Sequence, residues 1–202
     1  MDKILLGSGN KKKLYELQNL LQKTSYNIIT AKELDIILPE VIEDGNTYEE
    51  NAAKKAIAFS QFSGLPSIAD DSGLEVDALG GEPGIYSGRW SGEHGENQSR
   101  ENNKKLLEQM QKVPQEKRTA RFVCVIVMAI NEKAVITVRG ECPGTILSDF
   151  RGIGGFGYDP LFFVPEYNKT FAELGEIKNT ISHRAQALKK FEKILAESCY
   201  EA

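Results

Sequence analysis

The chain has 202 residues, with 25 Lys plus Arg against 29 Asp plus Glu, for a formal charge of −4. That balance opposes docking on a phosphate backbone and predicts no nucleic-acid partner. With 41% hydrophobic and 27% charged residues, it suits one well-filled core or two tightly associated lobes, and residues 1–202 are expected to form a single domain.

The cysteines Cys124, Cys142 and Cys199 and the histidines His94 and His183 are scattered. They complete neither a C-x-x-C nor a zinc pattern, so free thiols in a reducing compartment are expected. The first apolar run is too short for a signal peptide and no later one reaches a membrane span, which predicts a cytoplasmic protein with no membrane partner.

Residues 4–6, followed by Gly7-Ser8-Gly9, predict a buried strand ending in a tight turn. Asn10 can cap a helix whose buried stripe is Leu14, Leu17, Leu20 and Leu21. Residues 26–30 predict a second strand, and 39–46 an acidic loop. Thr47 and Glu50 form a capping box that opens a helix bearing Ala52, Ala53, Ala56, Ile57 and Phe59, with Gly64 and Pro66 signalling its end. Residues 67–69 predict a short strand running into Asp70-Asp71-Ser72-Gly73. A half-exposed strand over 74–79 and a Gly/Pro loop over 80–95 come next. Leu106, Leu107 and Met110 mark an amphipathic helix.

Residues 120–130 are the most strand-like stretch. Asn131-Glu132 turns them into an antiparallel strand over 134–140. A glycine-rich segment, 152–157, leads to the apolar run 161–164, and a last helix carries Ala185, Leu188, Phe191 and Leu195. Helices alternate with strands while the long hairpin is antiparallel, so the expected class is α/β with a mixed sheet and flanking helices.

Four segments could carry chemistry. Ser8-Gly9-Asn10-Lys11-Lys12-Lys13 lies at a strand-to-helix junction, where free N–H groups and the helix dipole favour an anion. It lacks the Walker A ending. It reads either as a phosphate cradle, which would explain lysines opposing the dipole, or as a solvated first turn. Glu43, Asp44, Asp70 and Asp71 supply hard oxygen ligands suited to Mg²⁺. Asp70 and Asp71 should point to opposite faces; Asp71, beside the expected Ser72-Gly73 turn, is the one to face an open cleft. The alternative for Asp-Ser-Gly is a turn that merely ends the strand.

The third segment, Gly152 to Pro160, contains a formal G-x-G-x-x-G. No helix follows it, which excludes a dinucleotide fingerprint. Its glycines flank Phe156 and Tyr158, consistent either with backbone passing close to a flat ligand or with a bulge over a core aromatic. The fourth is Ser182-His183-Arg184, with Lys178 upstream. Ser182 is a candidate N-cap, and the two basic residues either face an anion or base edge or are structural.

Together these segments resemble the non-canonical purine NTP pyrophosphatase family, the XTP/dITP diphosphatases or inosine triphosphate pyrophosphatases. The matching pieces are Ser8-Gly9-Asn10-x-x-Lys13, Thr47-Tyr48-x-Glu50-Asn51-Ala52, Ala69-Asp70-Asp71-Ser72-Gly73-Leu74, Leu79-Gly80-Gly81-x-Pro83-Gly84-Ile85-Tyr86-Ser87, Gly155-Phe156-Gly157-Tyr158-Asp159-Pro160 and Ser182-His183-Arg184. They run in family order from residue 3 to about 195.

The resemblance implies an elongated α/β fold with a long mixed sheet and two lobes around a nucleotide-binding cleft, assembled as a homodimer. It implies Mg²⁺-dependent hydrolysis of purine nucleoside triphosphates (ITP, dITP, XTP) to the monophosphate and pyrophosphate. Ser8, Gly9, Asn10, Lys11, Lys12 and Lys13 would bind the triphosphate. Asp71 would be general base and metal ligand, with Glu43 as a second metal carboxylate. Ser72, Phe156, Gly157, Tyr158, Asp159, Lys178, His183 and Arg184 would contact the substrate. Phe156 or Tyr158 would stack on the base, while His183 and Arg184 would recognise a 6-oxo purine.

Overall fold

The computed structural model describes residues 3–8, 14, 15, 17 and 27–198. Among them, seven strands form one sheet in the order β2-β1-β3-β4-β5-β6-β7. The first strand, β1 (Lys3–Gly7), pairs in parallel with β2 (Asn27–Thr30) on one side and β3 (Ser67–Val76) on the other. Ile4, Leu5 and Leu6 are buried without a polar alternation, as a parallel strand covered on both faces requires. Of the expected first helix, Leu14, Tyr15 and Leu17 are helical and Leu17 is fully buried; Leu20 and Leu21 lie outside the described residues.

Helix α1 (Tyr48–Ser63) starts at Thr47, whose hydroxyl accepts from Glu50 N at 3.1 Å. The Glu50 carboxylate does not return to the Thr47 N–H, as a full capping box would have it. It accepts from Asn46 N at 2.7 Å instead and so binds the preceding loop to the helix. Gly64, at φ 70°, ends α1 with its N–H on Ser60 O, a left-handed position glycine fills without a Cβ penalty.

The strand entering Asp70-Asp71 does not stop there. No turn forms at Ser72-Gly73, and β3 runs extended over ten residues from Ser67 to Val76. Ile68, Ala69, Leu74 and Val76 are all fully buried, and their burial in one continuous strand overrides the turn preference of Asp-Ser-Gly. The half-exposed strand expected over 74–79 is likewise corrected. Leu74 and Val76 belong to β3, and the backbone then leaves the sheet in one 3₁₀ turn, Asp77–Leu79.

Helix α2 (Gln98–Met110) buries Leu106 and Met110. Strands β4 (Thr119–Ile130) and β5 (Lys133–Ile146) are neighbours joined by Asn131-Glu132, with Asn131 at φ 53°. Two linking residues permit only an antiparallel pair. β5 outlasts the expected 134–140 because it goes on to pair antiparallel with β6 (Phe162–Val164). Gly144 permits that approach: a Cβ there would stand 2.5 Å from Phe163 O and 2.6 Å from the Phe162 ring. Strand β7 (Lys169–Thr170) pairs antiparallel with β6, and the short helix α3 (Lys178–Ile181) precedes α4 (His183–Ser198).

The chain divides into two compact units: Met1–Asp71, Cys124–Gly140 and Arg184–Ala202 in the first, and Ser72–Val123 and Glu141–His183 in the second. Each has its own apolar cluster. The first gathers Leu6, Ile68, Ile126, Val138, Leu188 and Phe191; the second gathers Leu74, Leu106, Met110, Phe122, Phe162 and Phe171. Phe191 is fully buried on α4. Phe191→Ala is expected to cost about 3–5 kcal/mol, because its cavity cannot fully collapse; urea unfolding at constant m-value measures this. No helix among the described residues is long and apolar enough to cross a membrane.

Candidate functional site

In the first unit, chemistry gathers around Lys55. The residue lies on α1 in the same stripe as Asn51, Ala52, Ala56 and Phe59, whose side chains are buried. A lysine inside a buried stripe needs carboxylate partners. Its Nζ donates to Glu43 Oε1 at 2.8 Å and stands 3.6 Å from Asp71 Oδ1, with the lysine side chain only 13% exposed. Glu43 and Asp71, 28 residues apart in the chain, thus meet at one ammonium group. Burial works to lower the Lys55 pKa, but the charges of Asp71, Asp70 and Glu43 and the Glu43 hydrogen bond outweigh it, and the net shift is upward.

The loop bearing Glu43 is held in place by α1. Gly45 N donates to Asn51 Oδ1 at 2.8 Å, and a Cβ on Gly45 would stand 2.7 Å from that oxygen. Asp44 pairs with Lys54 at the exposed edge. Glu43, by contrast, keeps a side chain 30% exposed, open enough to take a ligand.

Asp70 and Asp71 do unequal work, as strand alternation predicts. Asp70, with a side chain 1% exposed, lies 3.5 Å from Arg184 Nε and accepts from Cys124 Sγ at 3.9 Å. Arg184 is itself 2% exposed, so the guanidinium expected to read a purine edge is anchored on Asp70. Ser8 follows β1 half-buried, while Gly9, Asn10, Lys11, Lys12 and Lys13 lie outside the described residues.

The second unit holds the aromatic segment. Tyr158 is buried and its hydroxyl donates to Ser87 O at 3.0 Å; burial raises its pKa far above the ordinary phenol value. That ring is a core element, whereas Phe156 is half-buried. Asp159 Oδ2 accepts from Phe156 N and from Lys178 Nζ, both at 2.8 Å. Lys178 Nζ also sits 5.1 Å from the Phe156 ring centroid and 5.3 Å from that of Phe171. A Cβ on Gly155, where φ is 75°, would stand 2.0 Å from Asp159 Oδ2. Glycine is therefore required there on both counts.

His183, buried at the start of α4, stacks on Phe122 with centroids 4.8 Å apart and planes 13° apart, and lies 6.1 Å from Phe171. Ser182 bridges α3 and α4 in extended backbone, φ −61° and ψ 157°, as an N-cap residue should. Ser72 is half-buried in β3.

Lys55 and Phe122 belong to none of the sequence motifs. For Lys55 a signal existed, a charge within a helix's buried stripe. Cys124 and Cys142 are free and buried, and burial together with the nearby Glu166 charge pushes the Cys142 thiol up to about 11, so it stays unreactive at neutral pH.

Among the described residues no group of three or more His, Cys, Asp or Glu side chains is arranged to hold a metal. The pair Glu43 and Asp71 nevertheless suits a hard divalent cation, which commonly takes one or two carboxylates and completes its shell with water and substrate phosphate.

The chain is similar to known proteins over nearly its whole length. A dITP/XTP pyrophosphatase of Desulforamulus reducens is 52% identical over 194 residues, 96% of this chain and 95% of that protein. A dITP/XTP pyrophosphatase of Vibrio cholerae is 45% identical over 200 residues, 98% of each. The solved structure of a HAM1 protein from Coxiella burnetii is similar at TM-score 0.86 and 39% identity, covering 98% of this chain and all of that one. A nucleoside-triphosphatase/dITP/XTP pyrophosphatase from Mycobacterium abscessus is similar at TM-score 0.74 and 39% identity, over 94% and 97% of the two chains. The Ham1 family profile matches residues 4–194, and the chain belongs to the Ham1 family.

Proposed function

We propose that this protein is a nucleoside triphosphate pyrophosphatase that converts ITP, dITP and XTP to the monophosphate and pyrophosphate, removing them from the nucleotide pool. The meeting of Glu43 and Asp71 at Lys55 carries the reading, and the activity named for relatives about half identical supports it.

Mg²⁺, when bound by Glu43 and Asp71, would supply Lewis-acid neutralisation of the polyphosphate charge. The protein's own groups do the rest. The Asp71 carboxylate orients a water and takes its proton as the oxygen attacks the α-phosphorus. The α–β phosphoanhydride bond breaks, and pyrophosphate departs with the bonding electrons. Lys55 and, from the sequence, Lys13 with the first helix start offset the charge on the phosphates. Phe156, held by Lys178 and Asp159, would stack on the base, and His183 would read the base edge, as the resemblance implies. The homodimer and cytoplasmic location implied by the resemblance belong to the same proposal.

A site built to donate to a 6-oxo group rejects adenine, whose amino group leaves those donors unpaired at about 1–3 kcal/mol each. Pyrophosphate release from ITP, XTP, GTP and ATP, with and without Mg²⁺, is the test. Turnover of ITP and XTP should require the metal, and ATP should have a kcat/KM lower by about tenfold or more. Equal use of ATP and ITP would remove the base reading; release of phosphate rather than pyrophosphate would remove the reaction.

A further inference from the structure

We infer that Asn103 is a positioning residue for base recognition, holding the Gly157 carbonyl and with it the turn at residues 156–158 that presents Phe156. The inference rests on the reading above that Phe156 stacks on the base.

Asn103 stands on α2 and is 3% exposed. Its amide nitrogen donates to Ser99 O, one turn back, at 2.7 Å and to Gly157 O, 54 residues on, at 2.8 Å. Both amide hydrogens are thus spent on carbonyls. A flipped amide would set Oδ1 against two acceptors, so the network itself fixes the orientation. Oδ1, meanwhile, is buried without a hydrogen-bond partner.

That combination decides between packing and positioning. A buried unsatisfied acceptor is costly, and asparagine is a poor helix-interior residue. An apolar side chain of similar size would fill the space without either penalty. The gain that offsets them is the donor on Gly157.

Gly157 has φ 61°, and a Cβ there would meet nothing within 4 Å. The Asn103 hydrogen bond holds its carbonyl. The flanking residues are tied elsewhere, Phe156 through its N–H on Asp159 and Tyr158 through its hydroxyl on Ser87 O. Asn102 donates to the same Ser87 oxygen at 3.0 Å. Two consecutive asparagines of α2 thereby brace this turn.

The test uses the full chain with Asn103→Leu and Asn103→Asp. Leucine fills the space; ionised aspartate keeps the shape but cannot donate. Steady-state pyrophosphate release from ITP and ATP should show KM for ITP raised about tenfold in both variants. The kcat should stay within about twofold, and the preference for ITP over ATP should narrow. In Asn103→Asp the KM defect should shrink as the pH is lowered, because a protonated carboxyl regains a donor. If the leucine variant does not fold, the aspartate variant alone decides, through that pH dependence. Wild-type KM in either folded variant, a fall confined to kcat, or a pH-independent defect in Asn103→Asp would each overturn the inference. A wild-type protein that does not distinguish ITP from ATP would overturn the base reading and this inference together; normal discrimination with unmoved variants would overturn the inference alone.

Discussion

Asp71→Asn is expected to leave the fold intact and lower kcat for ITP by about 10³-fold, the scale of a removed general base. The amide keeps the size of the side chain in β3, and its oxygen can still face Lys55, which retains Glu43 at 2.8 Å. What it cannot do is accept a proton from water or supply full charge to a divalent cation. Pyrophosphate release paired with a urea midpoint separates the two effects. Near wild-type turnover would take Asp71 out of the chemistry; a collapsed midpoint would show the residue to be structural. Asp70→Asn is the informative contrast, since Asp70 engages Arg184 and Cys124 and acts on the site through them.

Lys55→Met should be damaging in a different way. The thioether chain fills the space but leaves Glu43, Asp70 and Asp71 without the cation between them. Removing one partner of a buried charge pair typically costs about 3–5 kcal/mol, and because Glu43 is partly exposed the lower end is expected here. The pH dependence follows from the sign of the shift. The Lys55 pKa is raised in the folded protein, so its stabilisation is complete below the ordinary lysine pKa and is lost as pH rises through the raised folded value. Across the neutral range the wild-type ammonium is therefore charged. Wild type and Lys55→Met should differ most in stability there and converge on acidification, as protonation removes the carboxylates' mutual repulsion. Denaturant midpoints from pH 4 to 9 measure this; a gap that does not change with pH would show that Lys55 contributes packing alone.

These two residues mark how far the sequence could be read. Asp71 was legible because an acidic pair in a short motif points to metal and proton chemistry. The turn expected at Ser72-Gly73 does not form. Asp71 reaches Lys55 from the middle of a strand, where alternation turns Asp70 toward Arg184. Tyr158 and Phe156 looked equivalent as stacking rings two residues apart. Only packing against Ser87 makes the first a core residue and leaves the second half-buried.

Local chemistry determined a good deal by itself. The strand at residues 4–6, the capped α1, the hairpin at Asn131 and the buried stripe of α4 all follow from periodicity, caps and turn residues acting over a few positions. The ordered run of motifs likewise marks the family. The tertiary structure decided which polar groups meet. Glu43 with Lys55, Asp70 with Arg184, Asp159 with Lys178 and Asn103 with Gly157 are each brought together across 12 to 114 residues of chain. Such pairings depend on how strands and helices bury their apolar faces, and no local propensity encodes them.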